Sequence, residues 1–79
     1  MQAEIWTTSW CPFCVRAKGI LEEHGVDFVE HVMDDDHAGL NEVKRKYSHG
    51  TVPIVVLDGN FVGGCDELSM VARSGGLSG

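Results

Sequence analysis

The chain has 79 residues and a mass of 8.6 kDa, which allows one domain, residues 1–79, and no more. Hydrophobic residues make up 43% and charged residues 23%, with a mean hydropathy of −0.05, which excludes a disordered chain, a collagen-like repeat and a membrane-spanning helix. Six basic against twelve acidic residues leave a net charge of −6, which argues against nucleic acid as a partner. The opening residues, Met1 to Ile5, hold no basic segment followed by an apolar stretch. No export leader is therefore expected, and the cytoplasm is the expected compartment. Three cysteines are too few for a disulfide scaffold, yet two of them lie close together.

In chain order, residues 4–8 are β-branched and aromatic and predict a short strand. From Pro12 to His24 the pattern becomes helical, with Cys14, Ala17 and Leu21 at i, i+3 and i+7. Pro12 suits the first helical position and Gly25 the end. Val26 to Met33 alternates around Phe28, Val29 and Val32 and predicts a second strand, parallel to the first because a helix joins them. Asp34-Asp35-Asp36 supplies capping oxygens for a second helix, along which Leu40, Val43 and Tyr47 share a face. Ser48-His49-Gly50 breaks that helix. Ile54–Leu57 and Asn60–Val62 flank Asp58-Gly59, a pair that favours a tight hairpin. Asp66 can cap a last short helix with Leu68, Met70 and Val71, and the Gly- and Ser-rich tail, 75–79, is expected to fray. The order β-α-β-α-β-β-α predicts an α/β fold with a four-stranded mixed sheet and helices on both faces.

Cys11-Pro12-Phe13-Cys14 falls where the first strand gives way to the first helix. Cys11 occupies the N-cap position, where unpaired N–H groups and the positive dipole end favour a thiolate. Cys14 lies one turn further on with its side chain directed back to the same end. Cys11 is then the exposed attacking thiol and Cys14 the thiol that resolves a mixed disulfide. Two other readings compete. A structural zinc site commonly needs four ligands, and only Cys65 and scattered histidines are on offer. A structural disulfide is out of place in a chain with no export leader.

Three separated motifs, Cys11-Pro12-Phe13-Cys14, Thr51-Val52-Pro53 and Gly63-Gly64-Cys65-Asp66, resemble those of glutaredoxins of the short bacterial dithiol type, over nearly the whole chain. Read alone, Pro53 punctuates a strand start and the paired glycines make a turn before a capped helix. The resemblance implies more. It implies the thioredoxin fold, a cis bond before Pro53 beside the active-site thiols, and Val52 backbone groups free to pair with a bound thiol peptide. It implies that Phe13, Thr51, Val52, Pro53, Gly64, Cys65 and Asp66 contact glutathione, with backbone N–H groups taking the γ-glutamyl carboxylate and Asp66 its ammonium. It also implies an enzyme that needs no bound cofactor or metal, uses glutathione as reducing co-substrate, acts as a monomer, and reduces disulfide-bonded or glutathionylated proteins.

The chain departs from the family pattern in several places. Thr8 stands where a lysine is usual, Phe13 where tyrosine is usual, and Trp10 is closer to thioredoxins. Lys44, Arg45 and Lys46 are candidates for the basic contact usually supplied by the second helix, while His24 suits a helix C-terminus and His31, His37 and His49 have no partner legible in the sequence. Two rival functions follow. One is a redoxin recharged by thioredoxin reductase and serving ribonucleotide reductase. The other is an iron–sulfur carrier, which Pro12 disfavours.

Overall fold

The computed structural model describes residues 1–77. Its elements are β1 (Gln2–Thr7), α1 (Pro12–Glu23), β2 (Asp27–Val32), α2 (His37–Lys46), β3 (Ile54–Leu57), β4 (Asn60–Gly63) and α3 (Cys65–Arg73). The expected order is observed, with boundaries shifted by one or two residues. The four strands lie in the order β2-β1-β3-β4. β1 pairs with β2 in parallel, Ile5 opposite Glu30, and with β3 antiparallel, Ile5 opposite Val55. The β3–β4 hairpin turns through Asp58 (φ 49°) and Gly59 (φ 83°). Two consecutive left-handed residues make the turn whose twist matches paired strands, hence Asp-Gly.

Alternation along β1 divides the two faces. Ala3, Ile5 and Thr7 point to the face covered by α1 and α3, where Ala17, Leu21, Val55, Leu57 and Leu68 complete the main core. Each large aliphatic side chain buried there contributes about 1.5–3 kcal/mol. Glu4 and Trp6 point to the other face, toward α2. There Tyr47 stacks on Phe61 at 4.9 Å between ring centroids and lies 6.2 Å from Trp6, which itself stacks on His31 at 4.9 Å. His31 also meets Glu4 at 2.9 Å, a partner that sequence spacing could not show because it lies on the neighbouring strand.

Two expectations are corrected. Asp66 does not cap α3: Gly64 holds the N-cap position, and Asp66 falls in the first turn. The Gly64 amide is satisfied by Glu67 Oε1 at 2.7 Å, so a side chain from inside the helix reaches back to do what a cap would do. The tail does not fray from residue 75. Gly75 and Gly76 donate to the carbonyls of Ala72 and Val71, which bends the chain back and buries Leu77 in the core. The rest of the expected fraying, residues 78–79, lies outside the described residues. Of the three aspartates before α2, Asp36 is the cap, accepting from the Gly39 amide at 2.9 Å.

Candidate active site

The carboxyl end of β1 and the first turn of α1 place the paired thiols. Cys11 is the N-cap of α1 in extended conformation, and Pro12 takes the first helical position, where its missing N–H costs nothing. The Cys14 amide points at the Cys11 sulfur, 3.2 Å away. The approach to this turn is held from the loop after β2: Asp34 accepts from both the amide and the hydroxyl of Ser9. Those two donors hold the Asp34 carboxyl below the usual carboxylate range. A second tie crosses behind the thiols, where Glu30 accepts from the buried Thr7 hydroxyl at 2.7 Å and from Lys18 at 2.9 Å. Both bonds lower its pKa from the ordinary 4.5.

Cys11, Cys14 and Cys65 are all free thiols. Cys14 is 1% exposed, and burial is the main reason its pKa is pushed up to about 12. The adjacent Cys11 sulfur pushes the same way, while the Thr8 backbone and the Lys18 ammonium oppose it. Cys11 is 9% exposed, more open than Cys14 but not the freely exposed thiol expected from sequence. The cause is β3: the loop before it brings the Val52 carbonyl to 3.7 Å from Cys11 Sγ, where it accepts from the thiol. The Val52–Pro53 bond is cis.

Beside this sulfur lies a cavity of about 320 Å³. All seven residues expected to contact a thiol peptide line it: Phe13 from α1, Thr51, Val52 and Pro53 from the strand approach, and Gly64, Cys65 and Asp66 from the start of α3. Burial pushes the Cys65 thiol up, so it sits in the wall as a small neutral residue at ordinary pH. Phe13 is 56% exposed, with the Arg16 guanidinium 6.0 Å from its ring centre. Trp10, next to Cys11 in the chain, is 70% exposed and does not line the cavity.

Two lining residues escaped the sequence reading, His49 and Glu67. Glu67 was legible as the third residue after Gly64, the spacing of a reciprocal cap. His49 had no local signal beyond its place two residues before Thr51. Conversely, none of the basic residues considered on α2 reaches this cavity. Lys44 and Arg45 line a separate groove with Ala38 and Asn41, and the Lys46 ammonium lies 5.2 Å from the Tyr47 ring centre. Among the described residues, no cluster of three or more His, Cys, Asp or Glu side chains is placed to hold a metal ion. Among the described residues, no helix is long and apolar enough to cross a membrane.

A βαβ unit followed by a β-hairpin and a helix, with two thiols at the first helix start facing a cis-proline loop, defines a thioredoxin-fold dithiol protein. Comparison with known proteins narrows the class. Residues 3–62 match the family model Glutaredoxin. The chain is 44% identical over 73 residues to a glutaredoxin of Pseudomonas aeruginosa, covering 92% of this chain and 87% of that one. It is 39% identical over 74 residues to glutaredoxin 3 of Escherichia coli K12, covering 94% and 89%. In three dimensions it is similar to the dithiolic glutaredoxin of Trypanosoma brucei brucei, with a TM-score of 0.82, 33% identity, and 95% and 80% of the two chains covered. The chain belongs to the glutaredoxin family, whose members are thiol-disulfide oxidoreductases.

Proposed function

We propose that this single domain reduces protein disulfides and glutathione mixed disulfides through Cys11 and Cys14, with glutathione as the reducing co-substrate and no resident cofactor. One observation carries the reading: residues from three distant stretches of chain line one cavity, and one of them, Val52, accepts from the Cys11 thiol at 3.7 Å. Its wall combines an aromatic ring, strand-edge backbone at Val52 and a helix start at Gly64, which suits a small extended thiol peptide with charged ends.

Each step follows from the difference between the two thiols. Cys11 thiolate, the more open sulfur, attacks one sulfur of the target disulfide and expels the other as a thiolate. A mixed disulfide now links Cys11 to the target. Engaging Cys11 removes its charge and its hydrogen bond from Cys14, two of the causes that hold Cys14 protonated. Cys14 loses its proton more readily at that stage, attacks the Cys11 sulfur, and releases the second target thiolate. Two glutathione molecules then reduce the Cys11–Cys14 disulfide, leaving one molecule of glutathione disulfide. With a glutathionylated protein, Cys11 takes the glutathionyl sulfur and frees the protein thiol. A further glutathione attacks the Cys11 mixed disulfide directly, so Cys14 is not required.

The coupled reaction with glutathione reductase and NADPH tests this. Cys11→Ser is expected to abolish both activities. Cys14→Ser is expected to keep deglutathionylation and lose protein-disulfide reduction, and equal loss of both overturns the two roles. The exposed Trp10 beside the thiols and Thr8 in place of a basic residue favour a second reading, a monomeric cytoplasmic redoxin serving ribonucleotide reductase. Reduction by thioredoxin reductase without glutathione-dependent turnover would select it.

A further inference from the structure

The cavity beside Cys11 is walled on one side by the start of α3, at Gly64, Cys65 and Asp66. The first amides of a helix have no partner inside it, which is why this wall suits a ligand carboxylate. One of those amides is taken. Gly64 donates to Glu67 Oε1 at 2.7 Å, a length typical of a charge-assisted bond. Glu67 is itself part of the cavity lining. The free protein therefore holds a carboxylate of its own at the helix start that the glutathione reading gives to the ligand.

Gly63 makes room for that carboxylate. A Cβ on Gly63 would come within 2.6 Å of Glu67 Oε1 and 2.8 Å of its Cγ, whereas one on Gly64 would stand 3.5 Å from the same oxygen, an ordinary contact. Yet the side chain is not locked in. Glu67 is an exposed residue and can turn out to water. Nor is its charge offset nearby: the lining holds no lysine or arginine, and its other charged side chain is the carboxylate of Asp66. The Arg16 guanidinium, 6.0 Å from the Phe13 ring centre, lies outside the lining, and Lys44 and Arg45 line a different groove. A ligand carboxylate brought to the amides of Cys65 and Asp66 meets the Glu67 carboxylate at the adjoining amide, in a recess where like charges repel more strongly than in water.

We propose that Glu67 is a built-in competitor for the carboxylate of the bound glutathionyl group: it holds the start of α3 in the free protein and yields that place when a ligand carboxylate enters. The proposal rests on the glutathione reading above and adds the residue that limits its affinity. Glu67 weakens the binding of thiols that bring a carboxylate to this wall and leaves those without one untouched. It takes no part in the sulfur exchange.

The test uses single-turnover release of a peptide thiol by the reduced protein, with two substrates. One peptide carries glutathione in a mixed disulfide; the other carries 2-mercaptoethanol, which has no carboxylate. Glu67→Gln keeps the shape of the side chain and an oxygen for the Gly64 amide, and removes the charge. For the glutathionyl peptide the half-saturating concentration is expected to fall about threefold, as replacing a charged competitor by a neutral one implies. For the mercaptoethanol peptide it is expected to change by less than about 1.5-fold. Added salt is expected to narrow the gap between the parent and Glu67→Gln, because it screens the repulsion. A residue that only caps the helix predicts the opposite sign, since a weaker cap loosens the wall. A value for the glutathionyl peptide that is unchanged or raised in Glu67→Gln, or that falls equally for both peptides, overturns the competition and leaves the glutathione reading standing. If neither the parent nor Glu67→Gln prefers the glutathionyl peptide, that reading fails and the role of Glu67 with it.

Discussion

The burial of Cys14 has a chemical consequence that can be measured directly. A thiol at about 12 instead of the ordinary 9.0 is ionised at pH 7 to about 1 part in 10⁵ instead of about 1 in 10². Its rarer thiolate is also the more nucleophilic, by a Brønsted slope of about 0.4–0.5, or roughly 20-fold over that interval. The net expectation is alkylation about 50-fold slower than for an ordinary thiol, before the steric effect of a side chain 1% exposed is counted. Timed iodoacetamide labelling of the fully reduced protein, quenched and mapped by mass spectrometry, reads this residue by residue. Cys11 is expected to label first, and Cys14 to gain about tenfold in rate for each pH unit over the accessible alkaline range. Cys11→Ser removes the neighbouring sulfur but leaves burial, the largest cause, in place, so Cys14 is expected to speed up yet remain slower than a free thiol. Labelling of Cys14 in the native parent within about threefold of the Cys11 rate would refute the asymmetry on which the two-thiol mechanism rests.

Three further outcomes follow from the ties around the site. Glu30→Ala leaves the buried Thr7 hydroxyl without an acceptor and Lys18 without its partner, an expected loss of about 2–3 kcal/mol in denaturant unfolding. The combined Thr7→Val/Glu30→Ala protein is expected to lose less than the sum of the single changes, and strict additivity would deny the coupling. Because the Glu30 carboxyl titrates below its ordinary 4.5 in the folded protein, its contribution is complete above about pH 4.5 and is lost as pH falls through the folded value. The unfolding midpoint of Glu30→Ala is therefore expected to depend less on pH in that acid range than the parent's. Thr8→Val removes a buried hydroxyl that has no hydrogen-bond partner among the described residues; a gain of up to about 1 kcal/mol is expected, seen as a rise of roughly 4–8 °C in Tm, and a fall of that size would contradict it. Gly63 has φ +131°, and a Cβ there would come within 2.6 Å of Glu67 Oε1, so Gly63→Ala is expected to cost about 1–3 kcal/mol and to release Glu67 from the Gly64 amide. Hydrogen exchange at Gly64 would show that release as faster exchange.

Much of this protein was readable along the chain because the signals concerned are short-range. Periodicity placed Cys14, Ala17 and Leu21 on one buried stripe of α1. Pro12 and the adjacent Cys11 marked a helix start, and Asp58-Gly59 marked the hairpin. A helix between two strands implied their parallel pairing. Each of these depends on residues within one turn, one helix or one strand–helix–strand unit. Hence the dithiol, its position at a helix N-terminus and the element order follow from the sequence without any knowledge of packing.

Tertiary structure decided whatever depends on register between elements distant in the chain. Val52 reaches the Cys11 sulfur across a separation of 41 residues, because β3 pairs with β1 so that Ile54 sits opposite Trp6. A slip of one residue in that pairing would turn every β3 side chain to the other face and move the loop off the thiol. The same register closes the cavity and brings in His49, whose sequence neighbours give no hint of it, opposite Glu67. It also covers Cys11 more than its cap position suggested, while the parallel pairing of β1 with β2 ties Thr7 to Glu30. Asp34 turned from a supposed helix cap into a brace for Ser9, and Leu77 from a loose tail into core. Local chemistry selects which residue can serve as cap, turn or thiolate, but only the assembled sheet determines which distant side chain stands beside it.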